Sequence, residues 1–325
     1  MTAVQPTSRS FPSAPRRPGD SHPTERPLLP APVRFSEERR TELARRTALG
    51  ALERVRRGIY LPRAATDLGR AAARREDVLR QVVAVAERLS TPYWFSHTSA
   101  ALLHGCWTWH LPRDVHLTQL RAPKGAQVAE QHLHRHWTAL PARDRSEVAG
   151  LPVTGLERTV VDCARAGTGP QGLVVADSAL RAGADPTVLT AILDESVGKR
   201  GIRRARTVVA LADARAESPG ESVVRWTIHE AGLPAPVPAH EATTARGRYW
   251  LDLAWPDLMV AIEFDGAVKY SGGEFGDPSA RIWREKLRHD ALTEAGWLVV
   301  RVVWADLTAP ESLERRLRAA LRQHR

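Results

Sequence analysis

The chain is 325 residues long, 26% charged and 43% hydrophobic, enough for two domains with real cores or three small ones. Its formal net charge of +10 favours a polyanionic partner, nucleic acid before membrane, and no apolar run approaches the length of a membrane span. Cys106 and Cys163 stand far apart without a CxxC or Cys/His ligand spacing, so the cysteines indicate neither a disulfide framework nor a zinc site. With no signal-peptide core at the N-terminus, the expected location is the reducing cytoplasm.

Residues 1–34 are dense in Pro, Ser and Arg, cannot repay the entropy of ordering, and are expected to form a disordered basic tail. From Ser36 the pattern turns helical, with Glu37 and Glu38 in the first turn and Leu43, Leu49 and Leu52 as apolar positions. LERVRRGIYLP then reads either as the wing of a partial winged helix over residues 35–68, or as an edge strand with a solvated basic face. In the first reading Arg54, Arg56 and Arg57 meet phosphates.

Residues 69–216 read as an α/β domain. A helix over 74–90 buries Val78, Leu79, Val82, Val85, Ala86 and Leu89. His97 and His104 follow in an aromatic-rich block, where packing or hydrogen bonding is the expected role rather than metal ligation. DVHLTQL and QHLHRHW alternate as strands, and His132, His134 and His136 then line one face over too long a span to hold a single ion. Thr154 to Glu157 has the spacing of a capping box, and helices are expected over about 170–182, 186–196 and 201–216, the second capped by Asp185.

Residues 217–325 hold the densest chemistry. Glu221 is either the acidic member of a capping box with Ser218 or a carboxylate aimed at the hairpin that follows. In WLDLAWPDLMVAIEFDG, a reversal at Pro256-Asp257 sets Asp252 opposite Ala261, so Asp252, Glu263 and Asp265 share one face. Carboxylates about 5–8 Å apart repel unless a cation lies between them, and oxygen ligands suit Mg²⁺. The alternative assigns Asp257 and Asp265 to turns and pairs Glu263 with an arginine. A basic helix then places Arg281, Arg284 and Arg288 on one face, and GWLVVRVVW is a strand whose Arg301 is expected to be buried and to need an anion.

The order of helix with Glu221, strands with Asp252 and Glu263, basic helix and GWLVVR, over about 218–322, resembles the Vsr-like branch of the PD-(D/E)xK endonuclease superfamily. FSHTSAALLHG, VHLT, LPVTGLERTVVD and ADSALRAG, within about 40–215, resemble the AbiEi-type antitoxin and transcriptional-regulator family, which pairs a winged helix with an α/β domain. Together these resemblances imply a multi-domain α/β (α+β) chain ending in a restriction-endonuclease-like mixed sheet flanked by helices. They also imply a metal-dependent DNA endonuclease acting in repair, restriction or mobile-element defence. In it Mg²⁺ (or Mn²⁺) is held by Glu221, Asp252 and Glu263, with phosphate charge met by Arg281, Arg288 and Arg301. The superfamily lysine is replaced by Asp265, leaving Lys269 as the candidate for water activation, with Lys286 a second that reads by default as a surface lysine. The rival expectation is a noncatalytic, antitoxin-like DNA-binding regulator on a degenerate nuclease fold, with DNA and a toxin or regulatory protein as partners.

Overall fold

The computed structural model describes residues 26–122, 130–266 and 278–323, without the side chains of 278–282 and Arg284. Two compact units emerge, one spanning His22–Trp226 and one containing Thr227–Arg325, with the division falling inside a helix. The architecture is multi-domain α/β, with three sheets flanked by helices.

In the first unit, β1 (Val33–Arg34) pairs antiparallel with β3 (Ile59–Pro62), which pairs antiparallel with β2 (Leu52–Arg56). The end of the expected tail is therefore ordered as a strand. A short 3₁₀ turn at Glu37–Arg39 leads into α1 (Arg40–Ala48), whose one buried residue is Leu43. The longer α2 (Arg70–Ala86) follows the hairpin and buries Val78, Leu79, Val82, Val83 and Val85. Arg80, itself buried, ties α2 to the hairpin by donating to the Pro62 carbonyl and to Glu53 Oε2 at 3.1 Å.

The central sheet has the order β6-β5-β4-β8-β7. Its strands are β4 (Trp94–Phe95), β5 (Val115–Gln119), β6 (Leu133–Trp137), β7 (Arg145–Val148) and β8 (Leu151–Thr154). β5 and β6 run parallel, as do β4 and β8, whereas β4–β5 and β7–β8 are antiparallel. Phe95, Val115, Leu117 and Val153 pack with α2 and α3 (His97–Leu103) in one apolar core. A second core joins α4 (Leu156–Ala166), α5 (Gly169–Arg181), α6 (Pro186–Asp194) and α7 (Ile202–Leu211), centred on Val160, Leu173, Leu189 and Val208.

Local capping signals account for the starts of α5 and α6. Asp185 accepts the Thr187 N–H at 2.7 Å with Pro186 opening the helix. The Thr154–Glu157 capping box does not form. Gly155 is the N-cap of α4, the Thr154 hydroxyl pairs with that of Thr159 at 2.8 Å, and Glu157 instead accepts the Asp185 N–H. A capping box closes one helix later, between Thr168 and Gln171. Both cysteines are buried free thiols, and burial pushes Cys106 up to about 12.

Helix α8 (Pro219–Glu230) contributes its first half to this unit. In the second unit, β9 (Val237–Thr244), β10 (Gly247–Trp255), β11 (Val260–Asp265) and β12 (Leu298–Val303) form a mixed sheet in the order β12-β11-β10-β9. Helix α9 (Pro278–Glu294) carries the crossover from β11 to the parallel β12, and α10 (Pro310–Gln323) buries Leu313, Leu317 and Leu321. The hairpin register differs from expectation. Ala254 pairs with Ala261 and Leu253 with Ile262, so one step further along the ladder sets Asp252 against Glu263 rather than Ala261. The cause is a longer reversal, a 3₁₀ turn at Pro256–Leu258 followed by Met259 in the left-handed region at φ 50°.

Candidate functional site

Asp252 and Glu263 do share a face of the β10–β11 hairpin. Asp252 Oδ2 accepts the Phe264 N–H at 2.7 Å, and Glu263 Oε1 lies 2.6 Å from Arg288 Nη2. Burial pushes the Glu263 carboxyl up from its usual range, the Arg288 guanidinium counters, and the neighbouring Asp252 charge pushes it further up. Arg288 also donates to the Trp250 carbonyl, so it braces the sheet. Asp265 ends β11 half-buried. Glu221 lies in the other unit, in a capping box: it exchanges hydrogen bonds with Ser218, at 2.7 Å from the hydroxyl and 3.2 Å to it, and accepts the Glu217 N–H.

Arg301 corrects its expectation. β12 is an edge strand in which Val302 alone is classed as buried, and Arg301 is exposed and pairs with Glu285 at 2.8 Å. Arg281 sits in α9, its side chain outside the described residues, as is Lys269 altogether.

In the N-terminal sheet the three arginines of the hairpin part company. Arg56 is held inside, donating to Gln81 Oε1 and Glu130 Oε2, both at 3.0 Å, and burial lowers its pKa. Arg54 and Arg57 are exposed, and no carboxylate among the described residues lies within ion-pair distance of either.

The metal-competent group found among the described residues is made of imidazoles rather than carboxylates. His97 opens α3, His116 lies on β5 and His136 on β6, with one ring nitrogen from each lying within 4.8 Å of the others. His116 Nδ1 is 3.0 Å from His136 Nε2, and His97 stacks on His136 at 3.9 Å between ring centroids. Burial holds His97 well below the usual histidine range, aided by the His136 charge. Burial pushes His116 down to about 3, aided by His97 and His136. Imidazoles in this state keep a lone pair for a donor or a cation. His132 lies outside this group, next to Asp114 at 3.1 Å. The expectation of Mg²⁺ or Mn²⁺ rests on oxygen ligands, which this group does not supply.

Beside the trio lies a buried charge network. Arg158 donates to Asp144 Oδ2 at 3.1 Å and to Asp162 Oδ2 at 2.9 Å, with all three side chains 6% exposed or less. Arg165 approaches Asp162 at 3.6 Å, and the Asp162 charge raises the pKa of His136 against the effect of burial. Sequence reasoning missed the trio because its members come from three elements; only the fold brings them together.

The profile of the AbiEi antitoxin C-terminal domain matches residues 95–211, the stretch that contains the trio, the charge network and helices α3 to α7. Two proteins of Mycobacterium tuberculosis are each 30% identical over 261 residues, covering 79% of this chain and 88% of their own length. They are uncharacterized protein MT2308 of strain CDC 1551 / Oshkosh and uncharacterized protein Rv2248 of strain ATCC 25618 / H37Rv. The chain belongs to their family.

An AbiEi-type antitoxin domain is therefore present. Its family is one of nucleic-acid binding rather than catalysis, and this overturns the expected metal-dependent endonuclease and its phosphodiesterase activity. The C-terminal sheet of this family member is mixed and helix-flanked, and no specific restriction-endonuclease-like sheet is identified in it. Among the described residues no helix is long and apolar enough to cross a membrane.

Proposed function

We propose that this chain is a noncatalytic, antitoxin-like regulator that binds DNA through its N-terminal basic hairpin. The observation carrying this reading is the AbiEi antitoxin C-terminal domain match over 95–211, preceded, with α2 between, by a hairpin that exposes Arg54 and Arg57. Both guanidiniums stand free of carboxylates among the described residues, so phosphate oxygens are their natural acceptors. Arg56 serves instead to hold the hairpin on α2. The chain's charge of +10 adds a long-range attraction to the same polyanion.

In this reading the C-terminal unit is a degenerate nuclease-type scaffold kept as a binding module, with Arg281 as a further phosphate contact. Arg288 and Arg301 are committed to Glu263 and Glu285. A toxin or other regulatory protein is the second class of partner for the antitoxin domain.

The test is fluorescence anisotropy with duplex DNA, both of random sequence and from upstream of the protein's own gene, over a range of salt. Wild type should bind with an affinity that falls steeply with salt. Arg54→Gln combined with Arg57→Gln should weaken binding to both duplexes alike and reduce the salt slope by about 2, roughly one per lost phosphate contact. An unchanged slope in the double variant, or no binding by wild type, would refute the assignment.

A further inference from the structure

The histidine trio is not used by the proposed DNA contact, and its placement asks for an explanation. Three nitrogens from the α3 N-terminus, β5 and β6 converge within 4.8 Å. A shared proton can bridge only two of them, the His116–His136 pair at 3.0 Å. A cation can bridge all three.

We propose that His97, His116 and His136 form a binding site for one borderline transition-metal ion of the Zn²⁺ class, with three imidazole ligands and a fourth position left for water. Imidazole suits such ions, whereas Mg²⁺ and Ca²⁺ take oxygen. In a tetrahedral site with bonds near 2.05 Å the nitrogens sit about 3.3 Å apart. The His116–His136 pair is already close to that spacing, so His97 has the most distance to close and must turn out of its stack on His136 to aim an in-plane nitrogen at the ion.

Four features around the trio point the same way. His97 holds φ at 53°, the left-handed region that a histidine seldom adopts and that folds retain where a side chain must be aimed. Its Nδ1 sits 3.0 Å from Ser96 Oγ, a contact that leaves Nε2 available as the ligand, as outer hydrogen bonds do at metal-bound histidines. Thr118, fully buried, is the register partner of His136 and lies two residues from His116, hence on the same sheet face; its hydroxyl has no hydrogen-bond partner among the described residues. Asp162, behind His136, supplies negative charge that offsets part of the local Arg158 and Arg165 field. The ion would staple α3 to the two parallel strands and, by binding only the folded chain, raise its melting temperature.

The experiment is titration of the metal-free full-length protein with Co²⁺, followed by visible absorption, with Zn²⁺ as competitor. The expected result is one equivalent of Co²⁺ showing the intense visible bands of a four-coordinate ion, bleached by one equivalent of Zn²⁺, together with a Zn²⁺-dependent rise in melting temperature. His136→Gln, on the half-buried strand, should weaken binding by more than about tenfold, the lower limit for even an outer partner of a ligand. His132→Gln, beside Asp114, should leave it unchanged. Wild-type protein that binds neither ion would overturn the proposal and leave the trio a hydrogen-bonded stack. Binding lost in His132→Gln but kept in His136→Gln would overturn it too, moving the site to the Asp114 side. Should His136→Gln fail to fold, His116→Asn is titrated in its place, and the wild-type titration alone still decides whether a site exists.

Discussion

Arg158→Ala is expected to lower unfolding stability by about 3–5 kcal/mol, measured by urea denaturation at pH 7. Arg158 is 6% exposed at its side chain and holds Asp144 and Asp162, each 3% exposed. Truncating it removes the guanidinium and leaves two carboxylates in low dielectric, with the longer contacts to Arg143 at 3.4 Å and Arg165 at 3.6 Å as their remaining ion pairs. The loss comes chiefly from the orphaned charges rather than from the value of the bridge itself. Arg158→Lys should recover only part of it, because a single ammonium cannot reproduce the fork that reaches both acids.

The pH dependence gives a second readout. Burial raises the folded-state pKa of Asp162 above its unfolded value, and Arg158 limits that rise. A carboxyl raised in this way favours the folded state below its unfolded pKa, and that contribution is lost as pH rises through the folded pKa. Without Arg158 the folded pKa climbs further, so the deficit of Arg158→Ala should be larger at pH 7 than at pH 5. A deficit independent of pH would mean that packing, not charge, is what Arg158 supplies.

The second large effect is expected at Gly201. Its φ is +81°, and a Cβ there would stand 2.2 Å from the Arg165 carbonyl oxygen and 2.9 Å from its carbon. That carbonyl ends α4 and accepts Arg204 Nη2 at 2.7 Å, so the start of α7 is seated directly on the backbone of α4. Gly201→Ala should cost on the order of 2–5 kcal/mol, the sum of the left-handed penalty and of overpacking against backbone that cannot step aside. Gly201→Asn separates the two causes, because asparagine tolerates the left-handed region but still carries the Cβ. It should be nearly as damaging as alanine. Gly198, with φ +79° and nothing within 4 Å of an added Cβ, is the internal comparison, and Gly198→Asn should cost about 1 kcal/mol or less. Equal losses at the two positions in thermal or urea unfolding would show that close packing at Gly201 is not the cause.

Local chemistry was the legible part of this chain. Asp185-Pro186 as a helix start, Ser218 with Glu221 as a capping box, and Asp252 with Glu263 on one strand face all follow from residues within a few positions of each other. Each needs only a turn of helix or the two-residue alternation of a strand. The purpose of the carboxylates was not legible in the same way. Whether Glu263 meets a cation or an arginine depends on Arg288, which arrives from another helix. Arg301 misled because an apolar run reads alike in an edge strand and a central one, and β12 is an edge strand. The histidine trio needed the fold itself: its members are separated by about twenty residues at each step, and the parallel pairing of β5 with β6 decides which of the seven histidines from His97 to His136 meet. The single strand face expected for His132, His134 and His136 loses His132, which lies outside β6 at φ 60°.

We propose that this family member binds DNA without cutting it. The direct measurement incubates the full-length protein with labelled duplex DNA in Mg²⁺ or Mn²⁺, resolving complexes on a native gel and strands on a denaturing one. The predicted result is a salt-sensitive complex from which every strand is recovered at full length; metal-dependent scission that disappears in Glu263→Ala and Asp252→Ala would contradict it.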